Sequence, residues 1–342
     1  MSMSGGPSAR EAEAQPDSEF APRRLLVTGG SGFIGSNFVR HLLQVDPDVE
    51  LVNLDALTYC GNLESLRDVE AEFGVRYTFI RGDIRDPEAV RRAMDGCDSV
   101  AHFAAESHVD RSIACADDFI TTNVQGTYVL LEEARRRGME RFLHISTDEV
   151  YGSTLEGSFG EADPLAPSSP YSASKAAADL LALSYHTTYN LPVLVTRSTN
   201  NYGPYQYPEK LIPLFVTNLM EGKNVPLYGD GGNVRDWLYV RENCRALEVV
   251  LRRGETGQVY NVGADNEVSN RTITETILEL FGVGWDRVKY VTDRLGHDRR
   301  YSVTTAKVRA LGWQPERDFR EALAETVDWY RENEAWWKSV PR

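Results

Sequence analysis

TGGSGFIG, residues 28–35, lies between an apolar stretch, RRLLVTG (23–29), and a segment with helical apolar spacing, FIGSNFVRHLLQ (33–44). It places Gly29, Gly32 and Gly35 in a G-x-x-G-x-x-G series, in the strand-to-helix context that such a turn requires. Glycines there permit a tight turn and close backbone approach, so that a pyrophosphate can rest on the helix N-terminus. The alternation then continues. VELVNLD (49–55), VRYTFIRGD (75–83), DSVAHFA (98–104), ERFLHIST (140–147) and LPVLVTRSTN (191–200) read as strands, with helices over 86–96, 117–138 and 169–190. Strands separated by helices predict an α/β fold, a doubly wound parallel sheet of Rossmann type.

After Asn200 the texture changes to a loop rich in Gly, Pro and Tyr (201–210), then to turns and short strands (218–240). The expectation is a large dinucleotide-binding domain, 23–200 with about 236–262 returning to the sheet. A smaller mixed α/β substrate-binding lobe then takes 201–235 and 263–342. The first 22 residues are small, polar and charged without an apolar centre, so they read as a disordered leader and not a signal peptide.

Charge narrows the partners. With 37 basic and 51 acidic side chains the net charge is −14, which argues against nucleic acid and anionic membranes. No apolar run approaches the roughly 18 residues of a bilayer span. Cys60, Cys97, Cys115 and Cys244 form no C-x-x-C pair and read as reduced thiols of a cytoplasmic protein. The six histidines lack ligand spacing, so no metal site is expected.

Asp55 ends the second strand about 20 residues after the glycines, where an acid bonds ribose hydroxyls and repels a 2′-phosphate; NAD is therefore expected over NADP. Asp83, ending the third strand, either meets the adenine edge or forms a plain helix cap with Asp86. YSASK sets Tyr171 and Lys175 at i, i+4 on one helix face, where an ammonium lowers the pKa of a phenol. HISTDEVYG (144–152) carries adjacent acids, Asp148 and Glu149, at a strand tip. S-x-x-E is also a capping box, but the Gly-rich segment that follows is a poor helix. Ligands bind beyond the carboxyl ends of parallel strands, so the pair reads as catalytic.

From about Arg24 to Trp337 the chain resembles the extended short-chain dehydrogenase/reductases that act on nucleotide sugars. TGGSGFIG, HFAAESHVDRS, STDEVYG, YSASK and NNYGP occur in order, with DWLYV and GHDRRY later. The resemblance implies tightly bound, recycled NAD held by Gly29, Gly32, Phe33, Ile34, Gly35, Asp55, Thr58, Asp83, Ile84, Ala104, Ala105, Thr122, Tyr171, Lys175 and Asn201. It implies a nucleotide sugar, dTDP-glucose, against Ser107, Thr147, Asn200, Lys210, Leu211, Pro226, Tyr228, Arg235, Asn270, Arg294 and His297. Arg235 and Arg294 are cations able to pair with a diphosphate. A homodimer through helices near 117–137 and 171–190 is implied as well.

For the chemistry, it implies Tyr171 as base at the C4 hydroxyl, Thr147 holding that hydroxyl, Glu149 as base at C5 and Asp148 as acid toward the C6 oxygen. One carboxyl must be ionised and its neighbour protonated, which like-charge proximity encourages. Related epimerases and reductases keep Tyr and Lys but lack the acid pair. GDP-mannose 4,6-dehydratases and UDP-glucuronate decarboxylases commonly carry Ser where Asp148 stands. The expected reaction is therefore loss of water from the sugar with NAD regenerated. A UDP-glucose 4,6-dehydratase, a nucleotide-sugar 4-epimerase and a non-catalytic dinucleotide-binding protein are the alternatives.

Overall fold

The computed structural model describes residues 19–293 and 297–340. Most of the expected leader, and Arg294 among the site residues, lie outside them. In chain order the first half runs β1 (Arg24–Thr28), α1 (Phe33–Val45), β2 (Glu50–Asp55), α2 (Arg67–Phe73), β3 (Tyr77–Arg81), α3 (Pro87–Ala93), β4 (Ser99–His102) and α4 (Val109–Ala114). There follow α5 (Asp117–Phe119), a π-helical stretch (Ile120–Gly126), α6 (Thr127–Arg137), β5 (Arg141–Thr147), α7 (Pro170–Tyr189) and β6 (Val193–Ser198). The single helix expected over 117–138 is thus widened by the π stretch. There Asn123 turns its side chain to the backbone of Glu106 and to the Ser174 hydroxyl.

Seven strands form one parallel sheet in the order β3-β2-β1-β4-β5-β6-β10, where β10 is Val259–Val262. Both faces are covered, which is why the centre of β1 (LLV) and the start of β6 (VLV) read as apolar runs. One face packs Phe38 and Leu42 of α1 with Leu247 and Val250 of the helix before β10. The other packs Val90 of α3, Leu130 of α6 and Ala182 of α7. The order reverses between β1 and β4, the point at which such sheets open a ligand crevice.

The smaller lobe has its own core, including Phe215, Trp237, Ile277 and Tyr330. It comprises β7 (Asn200–Tyr202), α8 (Leu211–Met220), β8 (Val225–Tyr228) and β9 (Val234–Tyr239). α9 (Val240–Arg253) and β10 return to the large sheet, and β11 (Glu267–Ser269), α10 (Asn270–Phe281) and β12 (Val288–Val291) resume the lobe. Residues 236–239, expected to return to the sheet, instead belong to β9, which pairs with β7 and β11. α11 (Ala306–Ala310) also departs from the expected division. Val308 and Trp313 bury themselves against the large sheet, and only α12 (Phe319–Glu332) and α13 (Glu334–Ser339) rejoin the lobe.

Candidate active site

The glycine turn is built as its spacing demands. Gly29 has φ +70°, a left-handed value that a side chain resists. A Cβ there would lie 2.6 Å from the Ala104 backbone nitrogen, and one on Gly35 would lie 2.3 Å from the Gly29 carbonyl oxygen. α1 starts at Gly32 with no side-chain cap, which leaves its first backbone N–H groups facing the crevice. Asp55, 8% exposed, accepts Ser31 N–H at 2.9 Å on one carboxylate oxygen and Leu57 N–H at 2.8 Å on the other. Burial raises its pKa and those two bonds oppose the rise.

These groups line a cavity of about 550 Å³. Around it stand Gly29, Gly32, Phe33, Ile34, Gly35, Asp55, Thr58, Asp83, Ile84, Ala104, Ala105, Thr122, Tyr171 and Lys175. Its length from Asp55 to Tyr171, its glycine floor and its buried carboxylate fit a dinucleotide with free ribose hydroxyls. Asp83 is held by its neighbour: Arg85 donates to both of its carboxylate oxygens, while Asp86 alone caps α3.

A second cavity, about 210 Å³, adjoins the first through Gln206, Glu209 and Lys210. Glu149, Asn200, Leu211, Pro226, Tyr228, Arg235, Asn270 and His297 line it. Asn201 lines this cavity and not the first, because β7 pairs with β9 and carries it into the lobe. Ser107 conversely lines the first cavity, where its carbonyl accepts the Lys210 ammonium at 3.1 Å. Arg235 is 4% exposed, so it is no surface ion pair. It donates to the carbonyls of Val234 (2.7 Å) and Asp298 (2.8 Å) and lies 4.1 Å over the Tyr301 ring. Tyr228 and His297 meet edge to face, ring centroids 6.3 Å apart. Sequence reasoning missed Tyr301, Trp237 and Glu209 as lining residues. The aromatic segments containing the first two gave no sign of which ring faces inward.

Between the cavities lies the tip of β5. Thr147, and not Ser146, is the cap: its hydroxyl oxygen accepts Glu149 N–H at 3.2 Å and starts one 3₁₀ turn, Asp148–Tyr151. The same hydroxyl donates to Asp148 Oδ1 at 3.3 Å and is hydrogen-bonded to Tyr171. Asp148 is 3% exposed and its Oδ2 has no hydrogen-bond partner. Burial, then the neighbouring Glu149, pushes its carboxyl well above the ordinary range, with Arg235 opposing.

α7 is fixed at its start by Ser169, which forms a reciprocal capping box with Ser172 before Pro170 opens the helix. That sets Tyr171 and Lys175 beside β5. The Lys175 ammonium donates to the Ile145 carbonyl at 2.7 Å, and burial lowers its pKa to about 8. The expected lowering of Tyr171 by Lys175 is not what this arrangement does. Burial, followed by the charges of Glu149 and Asp148, pushes the phenol up, and the Thr147 bond is what lowers it. One turn of separation is outweighed by loss of water around the hydroxyl.

The profile of the family described as GDP-mannose 4,6 dehydratase matches residues 26–326, and the chain belongs to that family. A dTDP-glucose 4,6-dehydratase of Streptomyces antibioticus is 53% identical over 324 residues, 93% of this chain and 95% of the relative. The crystal structure of DesIV, a dTDP-glucose 4,6-dehydratase from Streptomyces venezuelae solved with NAD bound, has a TM-score of 0.90 at 53% identity, covering 93% of this chain and all of that one (100%). A UDP-glucose 4-epimerase from Thermus thermophilus, in complex with NAD, has a TM-score of 0.83 at 33% identity, covering 91% and 99%.

Proposed function

We propose that the chain is an NAD-dependent hydro-lyase that converts dTDP-glucose to dTDP-4-keto-6-deoxyglucose. The observation that carries the reading is the Asp148–Glu149 pair: Asp148 buried with a raised pKa, Glu149 lining the second cavity, both beside Tyr171. An epimerase has no use for an acid and a base together; an elimination needs both. Bound NAD supplies the acceptor for the C4 hydride and the source of the hydride delivered to C6.

Tyr171 takes the proton of the C4 hydroxyl, which Thr147 holds. In this reading the Lys175 ammonium, one turn away, favours the phenolate without outweighing the burial that raises Tyr171. The resulting ketone acidifies C5, where Glu149 removes the proton while Asp148 protonates the C6 oxygen and water departs. Glu149 returns a proton to C5 as C6 receives its hydride. One proton gained at Tyr171 and one lost at Asp148 balance, and the Thr147 hydroxyl touches both groups. The second cavity holds the nucleotide and sugar.

The protein is a homodimer in this reading. Support comes from exposed apolar side chains on the π stretch, α6 and α7: Ile120, Tyr128, Leu180 and Tyr189, each about half exposed or more. Among the described residues no helix is long and apolar enough to cross a membrane. The four cysteines are free thiols, which supports a reducing, cytoplasmic setting in this reading. The test is mass spectrometry after incubation with dTDP-, UDP- and GDP-hexoses. The expected result is loss of one water from dTDP-glucose without net NADH. An unchanged mass with C4 inversion would turn the assignment to an epimerase.

A further inference from the structure

Beneath Lys175 the large sheet buries charged groups that the reaction does not touch. Asp179, one turn beyond Lys175 on α7, and His144 on β5 are both 0% exposed, and Arg197 on β6 is 3% exposed. Arg197 Nε donates to Asp179 Oδ2 at 2.9 Å, and its Nη1 donates to the Tyr151 hydroxyl at 2.7 Å. Tyr151 in turn donates to Asn261 Oδ1 of β10 at 2.8 Å. His144 Nε2 lies 3.3 Å from Asp179 Oδ1. A buried ion pair is a poor source of stability, because desolvation offsets the attraction. Apolar residues would fill the same space, so the charges call for another role.

We propose that Asp179, clamped by Arg197, is a positioning residue: it is the fixed anion that keeps Lys175 charged and seated on the Ile145 carbonyl, and it thereby sets the upper pH limit of proton removal by Tyr171. The i, i+4 spacing puts Asp179 and Lys175 on one helix face. An ammonium so deeply buried tends to lose its proton, and Asp179 is the group that opposes this. Burial alone would raise the Asp179 carboxyl, but His144 and Arg197 hold it below the ordinary range, so the anion persists across the working pH. The titratable groups that act on the ammonium are Asp179 on its own helix, His144 on β5 and His102 on β4; Arg197 on β6 meets it through Asp179, and the acids of the 3₁₀ turn packed on α7, Asp148 and Glu149, act on Tyr171. The π stretch packed on α7, ITTNVQG, brings no titratable side chain. His144 and His102 are both held neutral by burial and by the lysine's own charge, so Asp179 is the anion of the set.

The inference rests on reading Tyr171 and Lys175 as the proton relay, but its primary test does not depend on turnover. NMR titration of protein labelled at lysine Cε, with the resonance of Lys175 identified by its loss in Lys175→Arg, gives the ammonium pKa directly. Asp179→Asn keeps the shape and an acceptor for Arg197 while removing the charge, and it is expected to lower that pKa by about one unit or more. In single turnovers with dTDP-glucose, the alkaline fall in nicotinamide reduction at 340 nm should move down by the same interval. The double variant Asp179→Asn/Arg197→Met also removes the guanidinium that the single variant leaves without its anion, and serves where the single variant does not fold. An unmoved Lys175 titration, or a rate reduced equally at every pH, overturns the proposal. A shifted titration in a protein inactive toward every nucleotide hexose would keep the Asp179–Lys175 coupling and refute only the relay.

Discussion

Replacing Asp148 by Asn separates its chemical and structural roles. The side chain is 3% exposed, one carboxyl oxygen has no partner, and Glu149 stands next to it. Its folded pKa lies above the unfolded one, so the folded state binds more protons than the unfolded state between those two values. Stability is therefore full at low pH and is lost as pH rises from the ordinary aspartate value through the folded pKa. Asparagine has the same outline and no charge, so its variant escapes that loss. Leaving a buried polar group without its partner costs ~1–3 kcal/mol, more when it is charged, and that range is the expected gain of Asp148→Asn at pH 7.5. At pH 3.5 the difference should shrink to a few tenths of a kcal/mol, since the folded carboxyl is then neutral and the unfolded one mostly so. Urea melts at the two pH values measure it. In catalysis, loss of the proton donor should slow water release by about 10²–10⁴-fold. Nicotinamide reduction at 340 nm, read in a single turnover, should remain. A variant less stable than the parent at pH 7.5, or a difference independent of pH, would refute the neutral buried acid.

Glu149→Gln should likewise reduce bound NAD and then stall; deuterium exchange at C5 of the product, followed by NMR, should fall with it, and normal turnover would remove Glu149 from the C5 step. Gly29→Ala forces a left-handed residue, at ~1–2 kcal/mol, and pushes on the Ala104 backbone. It should lower the melting temperature and leave the purified protein depleted of NAD, as measured by nucleotide release on denaturation. His102 is buried with its pKa well below the ordinary value, so below about pH 6.5 the unfolded state binds the extra proton and stability falls as the solution is acidified. His102→Asn should remove up to ~1.4 kcal/mol per pH unit from the acid slope between pH 6.5 and 5, read from melts of both proteins.

What could be read from the chain was what its chemistry keeps contiguous. The glycine turn, Asp55 at a strand end and the Tyr171–Lys175 spacing are each local, and each lines the expected crevice. The electrostatics of that pair were misread because spacing reports proximity but not the water removed by packing, and burial sets the titration of both groups. That Asn201 lines the second cavity and Ser107 the first was not legible, because strand pairing and a lysine bridge, not sequence distance, decide which wall a loop residue joins. The Asp179–Arg197–His144 set was invisible for a similar reason: its members come from α7, β6 and β5, and no spacing rule connects them.

The return of the chain to the large sheet also bears on how the protein is made. Trp313, 2% exposed, closes the face formed by α1 and α9, with its indole nitrogen donating to the Glu242 carbonyl at 3.2 Å. A ribosome emitting this polypeptide has therefore released both cavities' linings before the nucleotide-binding half can shut its own hydrophobic interior. Domains generally mature from the N-terminal side during synthesis. Here that order is interrupted, because β10 arrives after β7, α8, β8 and β9 of the lobe, and Trp313 after all of it but α12 and α13. The two halves are therefore expected to unfold together, and a nascent chain halted before residue 313 should leave the apolar face of α9 open to chaperones and proteases.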